Sequence, residues 1–165
     1  METANNYSGD CPIFEICARI EAQTAELYHY YSELFRENPD AAQLWRKTAL
    51  EEENHLRQFE LADRLYRNAG FAVSVDPERA HRVCHKLGTL LSHVRQHPPD
   101  LETALSRAIE MEESLADLHM EGVVRFADDS VQKIFKAMMR FDQEHVQSLK
   151  RFLAIVALAR TEMTG

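Results

Sequence analysis

The sequence predicts an all-α domain: a four-helix bundle built from two antiparallel helical hairpins joined by a long crossover. Three observations predict it. Apolar residues recur at spacings of three and four along four long stretches, the period of one buried helix face. The five glycines and five prolines fall mostly between those stretches, where they punctuate rather than interrupt. Finally, the stretches come in two pairs with short internal turns, and residues 69–99 separate the pairs. Short turns make antiparallel neighbours, and one long connection fits a bundle with a crossover.

Taken in order, residues 1–10 read as a frayed tail and residues 11–165 as one domain. The first helix opens near Pro12, a residue suited to a first helical position, and is expected to run to about Glu37. Its inward stripe is Phe14, Cys17, Ala18, Glu21, Thr24, Ala25, Tyr28, Tyr31 and Phe35. Asn38-Pro39 ends it and caps the second helix, which continues to about Asn68 before Gly70 stops it. In the crossover, residues 71–75 look extended and residues 78–96 form a shorter helix weakened by Gly88. His97-Pro98-Pro99 then breaks the chain, and Asp100 caps the third long helix, which runs to about Phe126. After the Asp128-Asp129-Ser130 turn, the fourth runs to about Arg160.

A chain of 165 residues that is 45% hydrophobic suits one domain with a substantial core. Its formal net charge of -8, with no basic stripe, argues against nucleic acid as a partner. No apolar run is long enough to span a membrane, and the N-terminus lacks the basic start and apolar middle of a signal peptide. The three cysteines, Cys11, Cys17 and Cys84, form no Cys-x-x-Cys. The expected home is a reducing cytoplasm.

The chemistry is carried by a repeated pair. Glu52 and His55 are three apart, as are Asp142 and His145, so each pair shares one helix face. Both faces are otherwise apolar. The first stripe reads Trp45, Thr48, Ala49, Glu52, His55, Leu56, Phe59, Ala62; the second reads Val131, Phe135, Met138, Asp142, His145, Leu149, Phe152, Val156. Two acid-x-x-His pairs on core stripes call for a common partner, and a pair of metal ions supplies one. A two-metal bundle site also takes one acid from each of the other two helices. On the first helix Glu21 is the one acid on the stripe. It lies 17 residues before Asn38, and Glu52 lies 14 after it, so the two sit at similar heights. On the third helix Glu112 falls inside the apolar face; Glu113, well to one side, is the second choice. Glu21 to Glu112 spans 91 residues and Glu52 to Asp142 spans 90, and Tyr28 and His119 each follow their acid by seven. The hairpins read as two copies of one unit.

The proposed ligand set is therefore Glu21, Glu52, His55, Glu112, Asp142 and His145, with Glu52 and Asp142 placed to bridge and Tyr28 and His119 as hydrogen-bond donors behind it. Four carboxylates and two imidazoles suit iron or manganese, with zinc also accommodated.

The motifs IEAQTAELYHYY, LEEENHLRQF, AIEMEESLADLH and FDQEHVQSL, in that order, resemble the four ligand helices of the rubrerythrin family, within the ferritin-like superfamily. The resemblance covers most of residues 12–160, the crossover excepted. It implies a ferritin-like fold, a site for two iron ions, and reaction with hydrogen peroxide or dioxygen, as a peroxidase or a ferroxidase. A peroxidase of this kind takes electrons from an external donor, rubredoxin-like or a flavoprotein, because the chain has no Cys-x-x-Cys pair of its own. Two further departures stand out: Leu115 occupies the place of a further Glu, and Asp142 stands where the family has the longer Glu. Long amphipathic helices with spare aromatic residues point to a homodimer.

Other residues have plainer readings. Glu51, Glu53 and Glu144 flank the motifs and are expected on a solvated face. His81, Cys84, His85, His93 and His97 have spacings that can bind zinc or copper, but read as surface residues of the crossover. Cys17, one turn before Glu21, reads as a packed thiol.

Overall fold

The computed structural model describes residues 12–66, 77–125 and 128–164, and all its regular elements are helices. They are α1 (Pro12–Leu34), α2 (Pro39–Tyr66), α3 (Pro77–Gln96), α4 (Leu101–Arg125) and α5 (Asp129–Thr164). The expected tail, the extended segment at 71–75 and the stop at Gly70 lie outside the described residues.

Caps form where side chains can supply them. Asn38 Oδ1 accepts from the Ala41 amide at 3.1 Å, and Asp100 Oδ1 accepts from Thr103 at 2.7 Å. Asp128 Oδ1 accepts from both Ser130 and Val131. Each satisfies amides that the first helical turn leaves without a partner. α1 ends at Leu34 rather than near Glu37, because residues after it turn early: the Asn38 amide bonds to the Phe35 carbonyl. At the other end of the chain, α5 runs past Arg160 to Thr164.

Side-chain contacts fix the directions. Ser32 with Ala42, Tyr31 with Trp45 and Phe14 with Phe59 make α1 and α2 antiparallel. Lys150 with Glu113 and Arg160 with Glu102 do the same for α4 and α5. Between the hairpins, Tyr28 meets Glu112 and Glu21 faces His119, so α1 and α4 are antiparallel. Phe59 with Phe135, and Glu52 with His145, set α2 against α5 in the same sense. Four helices thus surround one interior, a helical bundle.

α3 is a fifth packed helix, not a loosely attached crossover. Ala80, Cys84, Leu87, Leu91 and Val94 form its buried stripe. α1 meets it with a second apolar face, Ile13, Ile16, Ile20 and Leu27, all buried. Cys84 Sγ approaches Gln23 Oε1 at 3.3 Å, Tyr30 donates its hydroxyl to the Val94 carbonyl at 2.9 Å, and Arg95 pairs with Glu26 at 2.6 Å. Gln23 meets the early part of α3 and Tyr30 meets its end, so α3 lies parallel to α1 and carries the chain back along the bundle. Gly88 has a use here. A Cβ at this position would sit 3.2 Å from Gln23 Nε2, so the missing side chain permits the close approach.

The interior is layered. Phe14, Phe59 and Phe135 cluster at one end, with ring centroids 5.7 to 6.5 Å apart. Tyr28, Tyr31 and Trp45 form an aromatic group at the other. Glu21 lies between these layers on α1, and the other charged side chains of the core lie level with it.

Candidate metal centre

All four carboxylates of the predicted set are fully buried, and so is His119; His55 and His145 are nearly so. Each stands at a core position of its helix, three or four residues from apolar neighbours, which is why the fold carries it inward. Among the described residues, the ion pairs these carboxylates make are with histidines alone. Burying four carboxylates without Lys or Arg is costly, several kcal/mol per ion on the order of magnitude usual for proteins. The interior must supply protons or cations to offset it.

Glu52 is at the centre. Its Oε2 lies 2.9 Å from His55 Nδ1 and its Oε1 lies 2.9 Å from His145 Nδ1. The two rings face each other with centroids 5.8 Å apart. Glu21 Oε2 lies 3.6 Å from His55 Nδ1, and Glu112 Oε2 lies 3.6 Å from His145 Nδ1. Two groups of donor atoms result, Glu21–Glu52–His55 and Glu52–Glu112–His145, each with its atoms within 4.8 Å of one another. Glu52 belongs to both. Two donors each about 2.1 Å from one cation lie about 3 Å apart at right angles and about 3.6 Å apart at 120°, so the observed separations fit shared ligation.

Orphaned atoms point the same way. Both oxygens of Glu21, Glu52 Oε1, Glu112 Oε2 and His145 Nδ1 are buried without a hydrogen-bond partner. Glu52 Oε1 and His145 Nδ1 are close enough to bond but are not aligned as donor and acceptor. Unpartnered buried polar atoms are rare in native proteins and call for an occupant. This fit rests on donor chemistry and geometry together.

The surrounding residues hold the donors. Glu51 Oε2 lies 3.0 Å from His145 Nε2. With the Nε2–H donated there, Nδ1 faces Glu52 and Glu112 and would offer its lone pair to a cation in place of a proton, the arrangement by which a carboxylate orients a metal-binding imidazole. Glu51 was expected on a solvated face; it is instead partly buried and turned onto the site, and the bond from His145 pulls its carboxyl below the usual range. Of the other flanking acids, Glu144 is exposed and Glu53 pairs with His29 at 2.8 Å. Tyr28 donates its hydroxyl to Glu112 Oε1. Burial and the nearby Glu112 push the phenol well above its ordinary range, so it stays a donor. On α4, Glu112 is fully buried, whereas Glu113 is exposed and pairs with Lys150 at 2.7 Å.

Asp142 is placed differently from the other five. It is fully buried, but it belongs to neither donor group. Its Oδ2 lies 2.6 Å from His119 Nδ1, and its Oδ1 has no partner. His119 Nε2 in turn lies 3.6 Å from Glu21 Oε1.

Electrostatics bind the cluster together. Burial lifts Glu21 to about 7, partly opposed by the His55 ring, whose Nδ1 lies 3.6 Å away. Glu112 is likewise raised, by burial first. Burial opposes charge on His55, but Glu21 and Glu52 outweigh it and hold the ring at about 9. His145 and His119 are raised against burial in the same way, by Glu112, Glu51 and Glu52 for the first and by Asp142 for the second. Without metal, protons shared among these groups balance the charge. Cys17 is fully buried beside His119, and burial raises its thiol, which keeps it protonated. Along α3 and just past its end, His81, His85, His93 and His97 are exposed, and no metal-binding group forms among the described residues there. No family model matches this chain, and neither a curated protein nor a solved structure matches it.

Proposed function

We propose that the chain is a ferritin-like, non-haem oxidoreductase of rubrerythrin type, binding two iron ions and reacting with hydrogen peroxide or dioxygen. The observation that carries this reading is Glu52, whose two oxygens each face one histidine Nδ1 at 2.9 Å, with Glu21 and Glu112 flanking. The antiparallel pairing of α1 with α4 and α2 with α5, with α3 returning the chain, supports the ferritin-like wiring. Carboxylate and imidazole donors favour iron or manganese over softer metals.

In this reading Glu21, Glu52 and His55 would hold one cation and Glu52, Glu112 and His145 the other. When bound, the pair would supply two electrons to the O–O bond of hydrogen peroxide, which with two protons is reduced to two waters, and an external donor would restore them. The chain's own contributions follow from its geometry. Glu51 fixes the His145 tautomer, Tyr28 fixes the rotamer of Glu112, and the phenylalanine layer keeps bulk water from one end of the site.

The test is direct. Protein loaded anaerobically with ferrous iron is mixed with hydrogen peroxide and its consumption is followed. Wild type turns over with donor present, and folded Glu52→Ala does not; equal rates in both would remove the proposal. Self-neutralisation by three histidines favours one competing reading, a metal-free interaction domain with a protonated polar core. That reading predicts no tightly held metal in protein made in iron-rich medium. An iron-handling ferroxidase would instead take up many irons per assembly.

A further inference from the structure

The two hairpins repeat each other, and the site departs from that repeat at two places. Glu21, Tyr28, Glu52 and His55 of the first hairpin correspond to Glu112, His119, Asp142 and His145 of the second, at offsets of 91, 91, 90 and 90 residues. Most of the correspondence holds in space. Tyr28 reaches across to Glu112, and His119 reaches across toward Glu21. His55 and His145 each present Nδ1 to Glu52 at 2.9 Å. Symmetry demands that Asp142 present its oxygens to both histidines as Glu52 does. It presents Oδ2 to His119 Nδ1 at 2.6 Å instead, and stands outside both donor groups.

Length explains both departures as one. An aspartate at a glutamate's helix position ends one methylene short of the centre. An imidazole in place of the phenol brings a donor nitrogen to that shortened carboxylate, where a tyrosine hydroxyl on the first hairpin passes on to the opposite glutamate. Both partners are fully buried, so the bond between them is sheltered from competing water.

We infer that His119 is a positioning residue that holds Asp142 out of the metal set, so that one protein carboxylate, Glu52, joins the two cations and five side chains hold them. This rests on the two-metal reading above. The consequence is an asymmetric centre with one bridging carboxylate where the repeat provides room for two.

The experiment is manganese binding to full-length, chelator-stripped protein, followed by the electron paramagnetic resonance of free Mn²⁺. Wild type is expected to bind two ions per chain. Asp142→Asn is expected to bind two as well, within threefold in affinity, whereas Glu52→Gln loses at least one. A tenfold or greater loss in folded Asp142→Asn would show Asp142 to be a ligand and overturn the inference. Wild type that binds no Mn²⁺ would overturn the two-metal reading itself, so the two failures are distinguishable. A second measurement needs no folded Asp142 variant. In wild type labelled with ¹⁵N-histidine, the downfield His119 Nδ1–H resonance, assigned with His119→Gln, persists when Zn²⁺ fills the site. Its loss on loading would mean that Asp142 leaves His119 for the metal.

Discussion

Removing metal and raising pH should destabilise this protein, and adding metal should reverse the trend. In the metal-free chain His55 titrates at about 9 against an ordinary value of 6.5. A folded-state value raised above the unfolded one contributes stability that is complete below 6.5 and lost as pH rises through about 9. Glu21, raised from 4.5 to about 7, loses its contribution over the range just below, in the same direction. His55 and Glu21 perturb each other across 3.6 Å, so their effects are counted once. The His55 displacement alone is worth about 3 kcal/mol, and the ring is only 2% exposed, which leaves little solvent screening. For a domain of this size each kcal/mol moves the melting temperature by roughly 2–4 °C. Chelator-treated protein should therefore melt roughly 6–12 °C lower at pH 9 than at pH 6 by circular dichroism. A cation takes the place of those protons, so the rise in melting temperature on adding Mn²⁺ should grow with pH. A metal-free melting temperature that is flat or rises from pH 6 to 9 would refute the proton-filled cluster.

Other expectations follow from single contacts. Tyr28→Phe removes the donor to Glu112 and should weaken metal binding about tenfold or more, measured by calorimetric titration, with the fold retained. Glu51→Gln weakens the partner that orients His145; a loss of about tenfold in affinity for one of two cations is expected, against no change if Glu51 is only a surface acid. Leu87→Ala, at a position buried between α3 and the bundle, should cost about 2–4 kcal/mol in urea unfolding. A change within about 0.5 kcal/mol, the usual size for a surface substitution, would mean that α3 is not packed in solution.

Periodicity made the four long helices legible, and capping residues placed their starts. Asn38, Asp100 and Asp128 each make the bond their position implies. Burial was legible too, because a carboxylate on an otherwise apolar stripe has no other face to turn to; Glu21, Glu52 and Glu112 are all fully buried. The role of α3 was harder to see. Its signal lay in a second apolar stripe on α1, Ile13, Ile16, Ile20 and Leu27, beside the one that faces the site. A helix apolar on two faces needs two partners, and reading only the first left α3 as a surface crossover. Glu51 was missed for a different reason: a residue one position from the inward stripe can still reach across an interface, and only the second helix tells it what is there. The bond between His119 and Asp142 joins α4 to α5 across 23 residues of sequence. No spacing along one helix announces such a pair.

The most direct measurement is the metal content of freshly purified, full-length protein made in iron-rich medium, determined by inductively coupled plasma spectrometry beside Glu52→Ala. Two metal ions per chain in wild type and fewer than one in the variant are predicted from the shared position of Glu52. Protein that comes out metal-free and cannot be loaded afterwards would contradict the claim that cations hold these side chains together.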